Sequence, residues 1–338
     1  MALFYFKEMG KVKERILSGM RPTGRLHLGN YLGALDNWVK LQDAYDCFFF
    51  VADWHALTTG YENTSSIKED TRQMVIDWLS AGLDPNKNKI FVQSMIKEHA
   101  ELYLLLSMIT PNSWLERCPT YKDQLIQLES KNIATHGFLG YPVLMTVDII
   151  IYKANRVPVG EDQAAHLEIS REIARRFNNL YKEVFPEPQI LLNRVPMLPG
   201  VDGRKMSKSY GNDISLSASP KEIKEKVQMM ITDPQRISKS DPGHPEVCIV
   251  HKFHTIFSSD MIESITSDCR KGSIGCVACK NNLVNRLTET LMPIHARRAE
   301  LEKDSSYVDD VLAEGAKKAR LVAAQTMQEV REAMRTFA

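Results

Sequence analysis

Cysteine is scarce in this chain. Six in 338 residues are too few for a disulfide scaffold at this length. Four of them fall between positions 248 and 279, and such crowding points to a metal site before it points to disulfides. Long apolar runs are also missing. Phe48 to Ala52 and Val147 to Tyr152 are among the longest, far below the roughly 20 residues that span a bilayer, so no membrane partner is expected. Met1 to Lys13 holds an apolar patch at Leu3–Phe6 but neither a cationic start nor a small-residue cleavage site, which argues for a cytoplasmic protein. An excess of either charge is lacking too. With 43 Lys plus Arg against 42 Asp plus Glu, any polyanion must be met by a local patch. Arg297, Arg298, Lys317, Lys318 and Arg320 offer one, though such a run also serves as a solvated helix face. The remaining composition, 43% apolar and 25% charged, excludes a disordered or fibrous chain. The length favours two domains.

Apolar patterning then places the elements. Arg15 to Met20 predicts a buried strand, and Leu28, Leu32, Leu35 and Val39 predict a helix packing one face. Cys47 to Asp53, Lys89 to Gln93, Val157 to Val159 and Ile190 to Asn193 predict further strands. Helices are expected from a capping box at Ser66 and Glu69 to about Leu83, and at about 99–110, 138–154 and 164–178. Strands alternating with helices imply an α/β fold with a parallel sheet, whose ligands bind beyond the carboxyl ends of its strands. From about Ser219 onward the pattern is almost wholly helical, so a boundary is expected near 211–218.

The first strand hands over to a helix through Ser18-Gly19-Met20-Arg21-Pro22-Thr23-Gly24-Arg25-Leu26-His27-Leu28-Gly29-Asn30. Free N–H groups at such a helix start favour anions. Gly24 and Gly29 have Walker spacing, but Asn30-Tyr31 replace the required Lys-Ser/Thr, and no GxGxxG fingerprint is present. Taken singly, these glycines serve a turn and His27 serves as a structural histidine. Far along the chain, Lys205-Met206-Ser207-Lys208-Ser209 lies in a polar, Gly-flanked segment from Gly200 to Asn212. Two lysines three positions apart on a mobile loop can follow the charge developing on a triphosphate.

HLGN together with KMSKS resembles the paired signatures of class I aminoacyl-tRNA synthetases. The stretches SGMRPTGRLHLGNYLGALDNWV, GYPVLMTVDIIIYKANRVPVGEDQAAHLEISREIARRFN and GRKMSKSYGN are similar to the bacterial-type tryptophanyl-tRNA synthetases, from about residue 14 to the end. The resemblance implies a Rossmann-like parallel-sheet catalytic domain over 1–213, carrying HLGN, GEDQ and KMSKS. It also implies a helical anticodon-binding domain over 214–338 and a homodimer. The implied reaction joins L-tryptophan and Mg-ATP, with Mg2+ as the metal, to tryptophanyl-adenylate and pyrophosphate. The aminoacyl group then passes to the 2′-OH of the terminal adenosine of tRNA(Trp).

Residue by residue, the resemblance assigns catalytic roles to Thr23, His27, Lys205 and Lys208. It assigns ATP binding to these and to Arg21, Pro22, Gly24, Gly29, Asn30, Gly160, Asp162, Met206, Ser207 and Ser209. Arg21 stands where related bacterial enzymes often have Gln. Tyr141, Met145 and Asp148 share a helix face by their i, i+4, i+7 spacing. Periodicity alone would make Met145 core, whereas Asp148 among Val147, Ile149 and Ile150 needs a partner wherever it is buried. The resemblance makes Asp148 the acceptor for the indole N–H and Met145 part of the ring slot. This suits a ligand with one donor and no acceptor. His55, Val157, Val159 and Gln163 match further positions of the tryptophan pocket.

Cys248, Cys269, Cys276 and Cys279 are separated by 20, 6 and 2 residues. Four thiolates suit structural zinc or an iron–sulfur cluster equally, while Lys280 after Cys279 excludes a CxxCH haem motif. Pro245-Glu246-Val247-Cys248 and Gly275-Cys276 resemble the subset of these synthetases that carries a 4Fe-4S cluster. Zn2+ stays the alternative, with His251 or His254 able to replace a thiolate. Cys47 and Cys118 have no such spacing and read as ordinary buried residues. Three other functions remain open: a tyrosine-specific enzyme, a tRNA-independent nucleotidyltransferase, and a catalytically silent RNA-binding or signalling paralogue.

Overall fold

Five strands build one all-parallel sheet in the order β3-β2-β1-β4-β5: β1 Arg15–Met20, β2 Asp46–Val51, β3 Lys89–Val92, β4 Arg156–Val159 and β5 Gln189–Leu192. The computed structural model describes residues 13–127, 133–160, 164–192, 198–304 and 306–337. The N-terminal apolar patch, Asn193 and the sequence Glu161-Asp162-Gln163 lie outside them. All five strands stand where the apolar runs place them, with ends moved by one or two residues. β2 is buried along Cys47–Val51, as expected of a strand covered on both faces.

Alternate side chains of β2 serve opposite layers. Phe49 stacks on Trp38 with ring centroids 4.7 Å apart. It shares a core with Met74 and Trp78 of the Ile67–Ser80 helix and with Leu283, Leu287 and Leu291 of the Cys276–Leu301 helix. Phe48 and Phe50 face the other layer, with Val147 and Ile150 of the Tyr141–Ile150 helix and Ala319, Ala323 and Met327 of the Tyr307–Met334 helix. Apolar side chains from both sides of position 213 therefore pack together. The Tyr307–Met334 helix lies close against β3, where a Cβ on Gly315 would sit 1.8 Å from the Ile90 carbonyl oxygen. No helix among the described residues is long and apolar enough to cross a membrane.

Three local expectations fail. The Ser66 box does not form: Ser66 makes no side-chain cap bond, and Glu69 accepts from Gln73 Nε2 at 2.8 Å instead. The helix expected over 138–154 is two helices, His136–Leu139 and Tyr141–Ile150. Pro142 lacks a donor and fits the first turn of a new helix. The helix after the first loop is interrupted by a π-turn, Tyr31–Leu35, between Leu28–Asn30 and Asp36–Leu41. An apolar spacing of 4-3-4 does not encode that extra residue per turn.

The sheet order reverses at β1, which has β2 on one side and β4 on the other. Chain connections diverge there, leaving a crevice beyond the carboxyl ends of β1 and β4.

Candidate active site

A cavity of about 470 Å³ lies in this crevice. Its walls include Gly19, Arg21, His55, Tyr141, Met145, Asp148, Val157, Val159 and Gly160. Gly19 is needed at the mouth of β1, because a Cβ there would meet the Phe50 ring at 2.5 Å. The π-turn supplies Gly33 and Ala34 to the opposite wall. Of the residues expected around tryptophan, all but Gln163 are described, and they converge here.

Asp148 is 2% exposed, and each of its oxygens has a donor. His55 Nε2–H donates to Oδ2 at 2.8 Å and the Gln93 amide to Oδ1 at 2.7 Å. Gln93 is oriented in turn by the Trp54 N–H, which donates to its Oε1 at 3.2 Å. Behind it, His99 Nδ1–H donates to the Gln93 carbonyl at 3.1 Å, leaving Nε2 to accept from the Tyr152 hydroxyl at 3.0 Å. This tautomer is neutral, and burial holds the His99 pKa below the ordinary imidazole value against the pull of Asp148. A carboxylate has about four lone-pair positions, so two donors still leave capacity to accept from a ligand. Gln93 and His99 escaped the sequence reading. Their only signal was a polar pair flanking an apolar strand end.

On the other side of the cavity, the Tyr141 hydroxyl lies 2.7 Å from His166 Nε2 and 3.8 Å from Cys118 Sγ. Burial raises the Tyr141 pKa, the Cys118 charge adds to that, and Arg21 opposes it. Arg21 is thus an electrostatic neighbour of Tyr141, and burial lowers its own pKa.

The two distant signatures meet through the backbone. Leu28 N–H donates to the Ile214 carbonyl at 2.9 Å and Leu216 N–H to that of Leu26 at 2.7 Å, pairing His27 with Ser215. Gly29 N–H approaches Met206 Sδ at 3.3 Å, and Lys208 Nζ donates to the Thr23 carbonyl. His27 and Asn30 form a capping box: the Asn30 N–H donates to His27 Nδ1 and the His27 N–H to Asn30 Oδ1, both at 3.2 Å. Nδ1 is therefore the acceptor, and a proton on the neutral ring sits on Nε2. Burial lowers the His27 pKa, opposed by Asp213 and reinforced by Lys208. Gly24 takes φ +74°, and a Cβ there would meet Asp70 Oδ1 at 2.7 Å. The KMSKS segment is organised around Asn212, whose Oδ1 accepts from the Ser207 N–H at 2.8 Å and whose amide donates to Asp202 and the Lys205 carbonyl. Ser207 caps the short turn Lys208–Tyr210 by accepting from the Ser209 N–H. Lys205 and Lys208 are exposed, whereas Met206 is buried. Pro22 is buried and Thr23 exposed on the facing loop.

Residues 10–292 match the family profile of tRNA synthetases class I (W and Y). The tryptophan–tRNA ligase of Thermotoga maritima is 58% identical over 323 residues, covering 95% of this chain and 98% of that protein. That of Aquifex aeolicus is 47% identical, covering 95% and 99%. The chain belongs to the tryptophan–tRNA ligases of class I. A crystal structure of the Campylobacter jejuni tryptophanyl-tRNA synthetase complexed with ADP and tryptophan is similar throughout. Its TM-score is 0.86 and its identity 35%, over 94% of this chain and 98% of that one.

The remaining cluster lies in the helical part of this tryptophan–tRNA ligase relative. Cys248 precedes the Ile249–Phe257 helix, Cys269 closes the Ile262–Arg270 helix, and Cys276 and Cys279 open the Cys276–Leu301 helix. Burial pushes the Cys279 thiol up to about 12, and the charges of Cys248, Cys269 and Cys276 add to the rise. Arg236 Nη1 reaches Cys276 Sγ at 3.9 Å. A Cβ on Gly243 would meet Cys269 Sγ at 2.6 Å. Among the described residues, no three His, Cys, Asp or Glu side chains form a ready site for a single metal ion. His254 uses Nδ1 toward Ser258 Oγ at 2.9 Å and Nε2 toward the Cys279 carbonyl at 3.2 Å. His251 Nε2 pairs with Thr266 Oγ1 at 2.8 Å. Both ring nitrogens of His254 are thus engaged within the protein, which leaves it none with which to replace a thiolate.

Proposed function

We propose that the cavity takes L-tryptophan and that this chain joins it to tRNA(Trp) in two steps. Asp148 carries the reading: a buried carboxylate with two protein donors and spare lone pairs suits a ligand that presents one N–H. His55 and Gln93 fix that carboxylate, and Met145, Val157, Val159 and Tyr141 line the slot for the amino acid. Gln163 is proposed as a further tryptophan-binding residue, and Gly160 and Asp162 of the same GEDQ motif as ATP-binding ones.

In the first step a tryptophan carboxylate oxygen attacks the α-phosphorus of Mg-ATP. The new O–P bond forms as the bond to the β-phosphate oxygen breaks, and pyrophosphate leaves. No protein nucleophile is required, so alignment and charge stabilisation carry the rate. The loop Arg21-Pro22-Thr23-Gly24, the helix start at His27, Gly29 and Asn30, and the KMSKS residues Lys205, Met206, Ser207, Lys208 and Ser209 surround the nucleotide. His27 Nε2–H and both lysine ammoniums are available as donors. In the second step the 2′-OH of the terminal adenosine attacks the acyl carbon and AMP departs. The chain is proposed to work as a homodimer, with residues 1–213 catalytic and 214–338 reading the anticodon. ATP–pyrophosphate exchange measured against each standard amino acid, with and without tRNA, tests this. Exchange driven by tyrosine, or none at all, would overturn it.

The four cysteines are proposed to hold a 4Fe-4S cluster. Four cysteines fall within one helical segment, with Arg236 Nη1 3.9 Å from Cys276 Sγ, and four thiolates are the ligand set such a cluster takes. Such a cluster would supply a cross-link between three helices. Zinc is the second reading, carried by the CxxC pair alone.

A further inference from the structure

One turn of the Cys276–Leu301 helix is tied to both nucleotide signatures, and the reaction as proposed gives it no part. His295 and Arg298 stand three positions apart on this helix, hence on one face. His295 Nε2–H donates to the Leu216 carbonyl at 3.0 Å. The Leu216 N–H donates to the Leu26 carbonyl at 2.7 Å. The Leu26 N–H donates to Asp77 Oδ2 at 2.6 Å, and Asp77 Oδ1 accepts from Arg298 Nη1 at 2.5 Å. This circuit of hydrogen bonds begins and ends on the same helical turn. It uses both main-chain groups of Leu26, the residue before His27, and both of Leu216, which follows closely on Asn212 and the KMSKS lysines. We infer that His295 is a positioning residue for adenylate formation, which sets through the Leu216 carbonyl how the KMSKS segment stands against HLGN. The inference rests on the reading of these two segments as the nucleotide site.

The junction needs such support. Its own ladder consists of Leu28 N–H to the Ile214 carbonyl and Leu216 N–H to that of Leu26, and so short a strand pair is marginal by itself. Leu26, Leu28, Ile214 and Leu216 are wholly buried, so water does not meet the outward carbonyl of Leu216, and a buried carbonyl without a donor is costly. His295, half-buried at the edge of this core, supplies that donor. Without it the Leu216 segment gains by shifting toward another donor, and the lysines shift with it. Leu291 and Ile294 of the same helix share the core with these leucines, so the turn stays packed when His295 is replaced. No member of the circuit lines the cavity around Asp148, which confines its influence to the nucleotide side. In a reaction carried by alignment, displacements of the order of an ångström are felt in the rate.

His295→Asn and His295→Gln in the full-length protein test this. The glutamine amide reaches about as far as Nε2 of the ring, and the asparagine amide falls short by one methylene. His295→Asn should lower kcat of tryptophan-dependent ATP–pyrophosphate exchange about tenfold per active site, while KM for tryptophan moves less than about twofold. His295→Gln should restore most of that loss. Transfer of tryptophan from preformed adenylate to tRNA(Trp), a step with no pyrophosphate to stabilise, should keep its unsubstituted rate in both variants. An unchanged kcat of exchange in His295→Asn, or a loss that His295→Gln does not restore, would overturn the inference while leaving the nucleotide-site reading intact. Equal losses in exchange and in transfer would overturn it too, because they mark a general loosening of the fold. Unsubstituted protein without tryptophan-dependent exchange would overturn both.

Discussion

Arg298 Nη1 lies 2.5 Å from Asp77 Oδ1, and both side chains are almost wholly buried. The second oxygen of Asp77 accepts from the Leu26 N–H at 2.6 Å. An arginine near the end of the Cys276–Leu301 helix therefore holds the carboxylate that fixes the loop leading into His27. Arg298 was read from sequence as one member of a surface patch. It is instead 4% exposed, because a guanidinium beside a buried carboxylate and Gln73 has its charge and donors satisfied there.

Arg298→Met should cost about 3–5 kcal/mol of stability, since it strands a buried charge. A double variant, Arg298→Met with Asp77→Leu, should recover only part of that, because the Leu26 N–H has lost its acceptor. Denaturant midpoints measure both. A double variant no more stable than the single one would refute the account.

Asp148→Ala should lower kcat/KM for tryptophan steeply, with about 1–3 kcal/mol lost from the unpaired indole N–H and the stranded donors of His55 and Gln93. Gln93→Leu should weaken tryptophan less, because it removes an orienting group and leaves the acceptor. Wild-type exchange kinetics in Asp148→Ala would remove this residue from the site.

Lys205→Ala and Lys208→Ala should each depress the rate of adenylate formation about a hundredfold while tryptophan affinity moves little, as expected of charges that act mainly in the transition state. Pre-steady-state activation kinetics decide this. Two unaffected single variants would take the loop out of the mechanism.

His99 gives a pH dependence of stability. Its folded pKa is depressed by burial, so below about pH 6.5 the unfolded chain binds a proton that the folded one refuses. Its stabilising contribution is complete above that pH and is lost as acid is added. His99→Gln should flatten the fall in the unfolding free energy between roughly pH 7 and pH 5. An unchanged slope would contradict it.

Anaerobically purified protein should be brown, with broad absorbance near roughly 400 nm from thiolate-bound iron. Cys276→Ser should bleach it and weaken tRNA charging more than pyrophosphate exchange. One equivalent of zinc without iron would select the tetrahedral alternative.

Much of this architecture was legible in the sequence. The five strands declare themselves as apolar runs such as Cys47–Val51, and Asp148 stands out as a charge among aliphatic neighbours. The chemistry around Asp148 was not legible. Gln93, just after β3, and His99, on the Glu98–Ser107 helix, are chosen by how that helix packs against the Tyr141–Ile150 helix, and no periodicity carries that. Cys118 is buried, as its lack of spacing suggested, while its contact with Tyr141 was hidden by their distance in the chain. The π-turn at Tyr31–Leu35 was hidden for a related reason: its apolar residues satisfy an ordinary helix pattern, although it is this turn that brings Gly33 and Ala34 to the cavity wall.

The pairing of His27 with Ser215 is made by main-chain atoms. A main-chain ladder is indifferent to which side chains it carries, so replacing either residue alters what the loops offer a nucleotide without altering how far apart they stand. Inserting a single residue between Asn212 and Ser215 would instead shift the register of this pairing, bringing a different residue opposite His27 with its side chain on the other face. The junction between the two signatures tolerates changes of letter and does not tolerate changes of count.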